Sequence, residues 1–203
     1  IAILGRTSMM FVVRPDFPAM TLEDLLAEGR RRSGPLNAGY GSSTARVALQ
    51  MLVTASALPV NPVPYPGTPK LVNDLIGGSV ELAVVDVGAG VVQARAGKVR
   101  PLAISGSRRF EAYSQVPTLA ETYPAAVLDS WIALAAPAGT PKAIITRLHA
   151  AITEAGTRPE VRRALAAVAI EGASLSTAEL DALIRQDRQR WPELIRAAGI
   201  EAE

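Results

Sequence analysis

Glu81-Leu82-Ala83-Val84-Val85-Asp86 is the stretch that decides the fold: four consecutive apolar residues closed by a carboxylate. A short, nearly continuous apolar run predicts a strand buried on both faces, the kind found in the middle of a sheet covered by helices. Val87-Gly88 then opens a segment of helical character that ends at Gly97, and Arg100 to Ser105 (RPLAIS) reads as the next strand. The same grammar holds upstream. Leu36 to Tyr40 leads through Gly41-Ser42-Ser43-Thr44 into a helix from Ala45 to about Thr54. Val60 to Tyr65 leads through Pro66-Gly67-Thr68-Pro69 into a helix carrying Leu71, Val72, Leu75 and Ile76, with Thr68 as cap and Pro69 at the first helical position. Strands alternating with helices predict βαβ units, a mostly parallel sheet and an α/β sandwich.

Outward from this block, Met9 to Val13 (MMFVV) is a further buried strand, ended by Arg14-Pro15. Thr21 is placed to cap a helix with Asp24 in its first turn, and Arg30-Arg31-Arg32 marks its solvated end, where the dipole favours cations. The Pro-containing stretch from Val116 to Pro124 and the extended Val127 to Ala135, with Trp131, read as a connection between lobes. Beyond it the character is helical. Thr140-Pro141 opens one helix, and Ser176-Thr177-Ala178-Glu179 is a capping box for another that Pro192 should kink. This C-terminal part has almost no strands for its helices to cover, which predicts exposed apolar surface and a partner segment outside the chain.

Composition narrows the function. The 203 residues are 49% hydrophobic, enough for a sizeable core, and the 21 Lys plus Arg nearly balance the 19 Asp plus Glu, so no strong field attracts nucleic acid or an anionic membrane. Aromatic residues at 4% leave few rings on which bases could stack. No cysteine is present, which removes thiol catalysis, Cys-ligated zinc and disulfides. No stretch reaches the ~20 continuous apolar residues of a membrane helix. No secretion signal is visible, and a start at Ile1 within an apolar run suggests a processed or truncated polypeptide.

In open parallel sheets ligands bind beyond the carboxyl ends of the strands. Three such loops carry polar groups. Ser42, Ser43 and Thr44 offer hydroxyls and backbone N–H groups at a helix N-terminus, suited to a carboxylate or phosphate and equally to plain N-capping. At Tyr65, Gly67 and Thr68, the glycine permits close backbone approach to a ligand, and Tyr65 can donate either to that ligand or to a structural partner. Asp86 can hold an ammonium or hydroxyl, or cap the following helix. The sole histidine, His149, lies far along the chain from these loops and reads as structural. Without Gly-x-Ser-x-Gly, a P-loop lysine, Rossmann spacing around Gly88-Ala89-Gly90 or a metal-ligand cluster, no catalysis, cofactor or metal is expected.

Six ordered strings carry a family resemblance: Tyr40 to Ser43 (YGSS), Pro64 to Gly67 (PYPG), Asp74 to Leu82 (DLIGGSVEL), Ala96 to Arg100 (AGKVR), Val116 to Glu121 (VPTLAE) and Ala136 to Pro141 (APAGTP). In content, order and approximate spacing they resemble the signatures of the tripartite tricarboxylate transporter receptors, the Bug or TctC-like solute-binding proteins. The resemblance implies a two-lobed, type II-like periplasmic-binding fold. It also implies an exported, periplasmic, non-enzymatic receptor that binds a small carboxylate and delivers it to membrane permease subunits, with no role for nucleic acid. By this mapping residues 9–128 are a complete second lobe. Residues 1–8 and 129–203 are crossover strands and the C-terminal part of a first lobe whose opening strand, Pro-Gly-Gly loop and signal are not in the chain. Two departures fall on the ligand loops: the serine loop is a few residues short, with Arg46 where the family has His, and Pro66 replaces a Lys. The alternative is the effector domain of a LysR-type regulator, which shares a related architecture and would require a helix-turn-helix that this sequence does not show.

Overall fold

The structure, a computed structural model, describes residues 1–200. The chain divides into two compact units, one of Ile1–Thr7 with Ser130–Leu194, the other of Ser8–Asp129 with the residues from Ile195 onward.

The larger unit is built on a mixed sheet. Its strands are the second half of β1 (Ala2–Val13), β2 (Leu36–Tyr40), β3 (Val60–Pro64), β4 (Leu82–Asp86) and β5 (Arg100–Ile104), in the order β3-β2-β4-β1-β5. β2 runs parallel to β3 and β4, whereas β1 is antiparallel to both β4 and β5. The expected mostly parallel sheet is therefore corrected in one respect, since β1 enters between two strands that both point against it. The buried run at β4 is as the sequence predicts: Leu82 to Val85 are inaccessible, and so are Met10 to Val13 beside them. Only an interior position buries both faces of a strand.

Helices α1 (Leu22–Arg31), α2 (Ser43–Ser56), α3 (Thr68–Ile76) and α4 (Val87–Arg95) cover this sheet. Each shows an apolar stripe, such as Leu22, Leu25 and Leu26 on α1 and Val47, Ala48, Leu49 and Leu52 on α2. Truncating one such leucine to alanine costs about 2–5 kcal/mol. Gly90 lets α4 lie against β1, because a Cβ there would stand 2.5 Å from the Met10 sulfur. Thr21 and Asp24 form a reciprocal capping box on α1. The arginines at its other end are not merely solvated: Arg30 donates to the Ser56 carbonyl, Arg31 pairs with Glu28, and Arg32 reaches Glu81 at 3.0 Å. Glu81 also accepts from the Asn37 amide at 2.7 Å, so this ion pair fastens α1 to the start of β2. Arg100 clasps the loop between β1 and α1 by donating to the carbonyls of Pro15, Phe17 and Ala19.

After β5 come a 3₁₀ turn at Glu111–Tyr113, the short α5 (Leu119–Thr122) and a second 3₁₀ turn at Pro124–Ala126. The VPTLAE string has a structural account here. Thr118 and Glu121 make a capping box, and Arg109 grips the Glu121 carboxylate, donating from Nε at 2.7 Å. The Arg109 guanidinium, then the Thr118 amide, hold the Glu121 pKa down to about 2.

The smaller unit contains the first residues of β1, β6 (Asp129–Leu134, from Ser130), α6 (Lys142–Thr157), α7 (Pro159–Ala167), β7 (Glu171–Gly172) and most of α8 (Thr177–Ala197). β6 and β7 both pair with β1. Ser176 and Glu179 form the expected capping box, and α8 continues across Pro192. Trp131 donates to Asp187 at 2.6 Å, and His149 bonds through Nδ1 to the Ile1 carbonyl at 3.0 Å, a structural use of the only histidine. Among the described residues α6 and α7 bury none of their own, while Ile132, Leu134, Ile144, Leu148 and Val168 are exposed. No helix among the described residues is long and apolar enough to cross a membrane.

Candidate functional site

The four strands β2 to β5 share one direction, so their carboxyl ends and following loops gather on one edge of the larger unit's sheet. Sheet order makes β3, β2 and β4 neighbours, which brings the three predicted loops side by side.

The serine loop separates two roles. Ser42 is the N-cap of α2, its hydroxyl accepting from the Ala45 amide at 3.2 Å and its carbonyl from the Arg46 amide at 3.0 Å. The Ser42 hydroxyl thus satisfies one of the N–H groups that a helix leaves open at its start, that of Ala45, and the Arg46 amide makes the first intrahelical bond, so the amides of Ser43 and Thr44 are among those left for a ligand. The Ser43 side chain is exposed, and no hydrogen bond from its hydroxyl occurs among the described residues. Thr44 is half-buried beside it.

The second loop presses against the first. The Tyr65 amide donates to the Tyr40 carbonyl at 2.9 Å. A Cβ on Gly41 would stand 3.0 Å from the Gly67 carbonyl carbon and 3.1 Å from the Thr68 nitrogen, so a larger residue would press these backbones apart by a few tenths of an ångström. Gly67, not Thr68, is the N-cap of α3; Thr68 opens the helix and no side chain caps it. Tyr65 is half-buried beside Asp74, and burial first, then hydrogen bonding and charge from that carboxylate, raise its pKa. Gly39 makes room beneath it, since a Cβ there would come within 3.2 Å of the Tyr65 ring.

Asp86 occupies the N-cap position of α4 but makes no capping bond, and its carboxylate is exposed. It lies two residues beyond the Tyr40–Val84 pair, which puts it at the same edge as both other loops.

Electrostatics sets this edge apart. α1 and α5 of the same unit carry acidic residues in their first turns, as the helix dipole favours, whereas α2, α3 and α4 carry none there. Arg46 adds a cation to the first turn of α2, its guanidinium 5.5 Å from the centre of the Tyr40 ring. Composition and apolar pattern do not flag Arg46; the available signal is a cation placed against the dipole of a predicted helix. The starts of α2 and α3 supply hydroxyls, amides and the positive ends of two helix dipoles, all suited to holding an anion, whereas α4 starts at the exposed carboxylate of Asp86. It offers no base-activated nucleophile. No group of three or more metal-ligating side chains occurs among the described residues.

Residues 1–200 match the model of the tripartite tricarboxylate transporter family receptors. Among curated proteins, BugT of Bordetella pertussis is 29% identical over 202 residues, covering 98% of this chain and 62% of BugT. The protein of the tcbD-tcbE intergenic region of a Pseudomonas species is 30% identical over 191 residues, covering 92% and 56%. The chain thus spans less than two thirds of the length of these relatives. Of solved structures, an R. palustris protein with adipate matches with a TM-score of 0.88 at 25% identity, over 98% of this chain and 68% of that one. The periplasmic binding protein BugD matches with a TM-score of 0.84 at 24% identity, over 100% and 70%, a likeness of fold.

Proposed function

This chain belongs to the tripartite tricarboxylate transporter receptor family, and from that premise we propose that it is the ligand-binding part of a periplasmic solute receptor. It captures a small carboxylate and delivers it to the permease subunits of a tripartite transporter, without turning the ligand over. One observation carries the reading: the uncompensated N-termini of α2 and α3 abut at Gly41 and Gly67, presenting the amides and hydroxyls of Ser43, Thr44 and Thr68 together. Helix starts without acidic residues favour an anion, and a carboxylate has the lone pairs to accept several such donors. Ser42 and Tyr65 hold this platform, Gly67 admits the ligand to the backbone, and Asp86 receives an ammonium or hydroxyl borne by the same ligand. The adipate in the R. palustris relative supports a carboxylate ligand. The family match over residues 1–200 supports the receptor over a regulator's effector domain. In this reading the larger unit is the receptor's second lobe and the smaller unit belongs to its first.

The test is a proton–nitrogen NMR titration of the chain with mono- and dicarboxylates, sugars and cations, which detects even millimolar binding. Saturable shifts of the Ser43 and Thr44 amides with a carboxylate are expected. Saturation by a sugar or cation, with no response to any carboxylate, overturns the assignment.

A further inference from the structure

Arg46 is a half-buried cation, and among the described residues no carboxylate pairs with it. Several other arginines of the larger unit are anchored: Arg14 pairs with Asp16 at 3.0 Å, Arg32 with Glu81 at 3.0 Å, Arg109 with Glu121, and Arg100 with three backbone carbonyls, while Arg95, stacked on Tyr113, is exposed to water. Among the described residues Arg46 has the face of the Tyr40 ring and one long contact to Gln50 at 3.4 Å. Neither neutralises its charge, and most of its five N–H donors are left over. Its position adds to the cost. It is the fourth residue of α2, where the dipole disfavours a cation, and α2 has no acidic side chain in that turn to offset it.

Geometry says where the charge is directed. Side chains of a helix lean toward its N-terminus, so Arg46 reaches back across the first turn to Tyr40, the residue just before Gly41-Ser42. The Ser43 and Thr44 amides with the Ser43 hydroxyl make one complete carboxylate receptor. The guanidinium fork of Arg46, three residues after Ser43 on the same helix face and over the Tyr40 ring, is a second, because its parallel N–H groups match a carboxylate.

We propose that Arg46 is a specificity-determining residue that receives the second carboxylate of the ligand, so that the site prefers dicarboxylates to monocarboxylates. The inference rests on the carboxylate-receptor reading and goes beyond it by fixing the ligand's charge.

The experiment titrates the wild-type chain, Arg46→Gln and Arg46→Lys with dicarboxylates and monocarboxylates of matched carbon number: succinate against butyrate, glutarate against valerate, adipate against hexanoate. The Ser43 and Thr44 amides are followed by NMR, and melting temperature is read in parallel. The wild type should bind the best dicarboxylate at least about tenfold more tightly than its monocarboxylate partner, as expected for a charged hydrogen-bonding pair. Arg46→Gln should erase that ratio by weakening the dicarboxylate alone, with a melting temperature unchanged or raised, and Arg46→Lys should restore part of it. Equal affinity for both acids in the wild type, or equal weakening of both by Arg46→Gln, overturns the proposal while leaving the carboxylate reading intact. If Arg46 only packs on Tyr40, Arg46→Gln lowers the melting temperature and leaves the ratio unchanged, which also overturns it. Failure of every acid to bind the wild type defeats the receptor reading itself, and this proposal with it.

Discussion

Ser42 and Ser43 are adjacent and chemically identical, yet only Ser42 caps the helix, with its hydroxyl on the Ala45 amide at 3.2 Å. Ser42→Ala should therefore lower folding stability by about 1 kcal/mol. Ser43→Ala should change stability by less than about 0.5 kcal/mol, as at an exposed site away from special features. The same Ser43 substitution should weaken carboxylate binding roughly five- to tenfold, since it removes a hydrogen bond to a charged group. Urea denaturation and the NMR titration, run on each single variant, read the two effects separately; a stability loss confined to Ser43→Ala would reverse the assignment. Glu121 makes a prediction in pH. Its folded pKa of about 2 lies below the ordinary carboxylate value of 4.5, so its contribution to stability is present above the latter and is lost as pH falls through the former. The difference in melting temperature between the wild type and Glu121→Gln should be constant above pH 5 or so and shrink between 4.5 and about 2. A difference that persists unchanged in acid would mean that the Arg109 pairing contributes nothing through charge.

At the scale of elements, the site depends on two helix starts being allowed to touch. A methyl group at Gly41 would lie 3.0 Å from the Gly67 carbonyl carbon, against backbone that cannot swing aside as a side chain would. Gly41→Ala should cost about 1–3 kcal/mol, the range for overpacking, and should shift the Gly67 and Thr68 amide resonances more than those of α1. Denaturation and amide shifts near those of the wild type would show that the loops have slack. Much of the element pattern was legible in the sequence because it rests on local chemistry. The capping boxes at Thr21–Asp24 and Ser176–Glu179 are complete within four residues, and the burial of Leu82 to Val85 follows from an unbroken apolar run. What escaped depends on distance along the chain or on direction. β1 extends back to Ala2 through Gly5, Arg6, Thr7 and Ser8, which carry no apolar signal, so the apolar pattern marks only Met9 to Val13 and the strand character of residues 1–8 comes from the family resemblance. An apolar run also says nothing of strand direction, and the antiparallel entry of β1 between β4 and β5 had no local sign. The Arg32–Glu81 pair spans 49 residues, and the approach of Gly41 to Gly67 is likewise invisible until both loops are placed. The strand–turn–helix grammar selects the three loops because it locates carboxyl ends, and sheet order then sets them side by side. Arg46 is marked only by the family resemblance, as a departure from His, because the grammar selects hydroxyl and glycine positions.

At the scale of the whole chain, the two units differ in how fully their helices are covered. In the larger unit, α2 alone buries Val47, Ala48, Leu49 and Leu52, and Leu82 to Val85 of β4 and Met9 to Val13 of β1 are closed to solvent. In the smaller unit, Ile144 and Leu148 of α6 are 48% and 41% exposed, one helical turn apart and so on one face, while Ile132 and Leu134 of β6 are 38% and 44% exposed at alternate positions of one strand. Apolar surface of this kind is costly in water and is reduced by association. The chain by itself should therefore self-associate with rising concentration, through the smaller unit. Sedimentation velocity over a wide concentration range should show weight-average mass rising above 21.3 kDa. The double variant Ile144→Glu with Leu148→Glu places charge on that face without touching any residue buried in the larger unit, and should return the chain toward monomer. Its Ser43 and Thr44 amides should keep wild-type positions, which separates loss of association from loss of fold. A wild type that remains monomeric at high concentration, or association that survives both substitutions, would show that this face is not the one through which the chain meets itself.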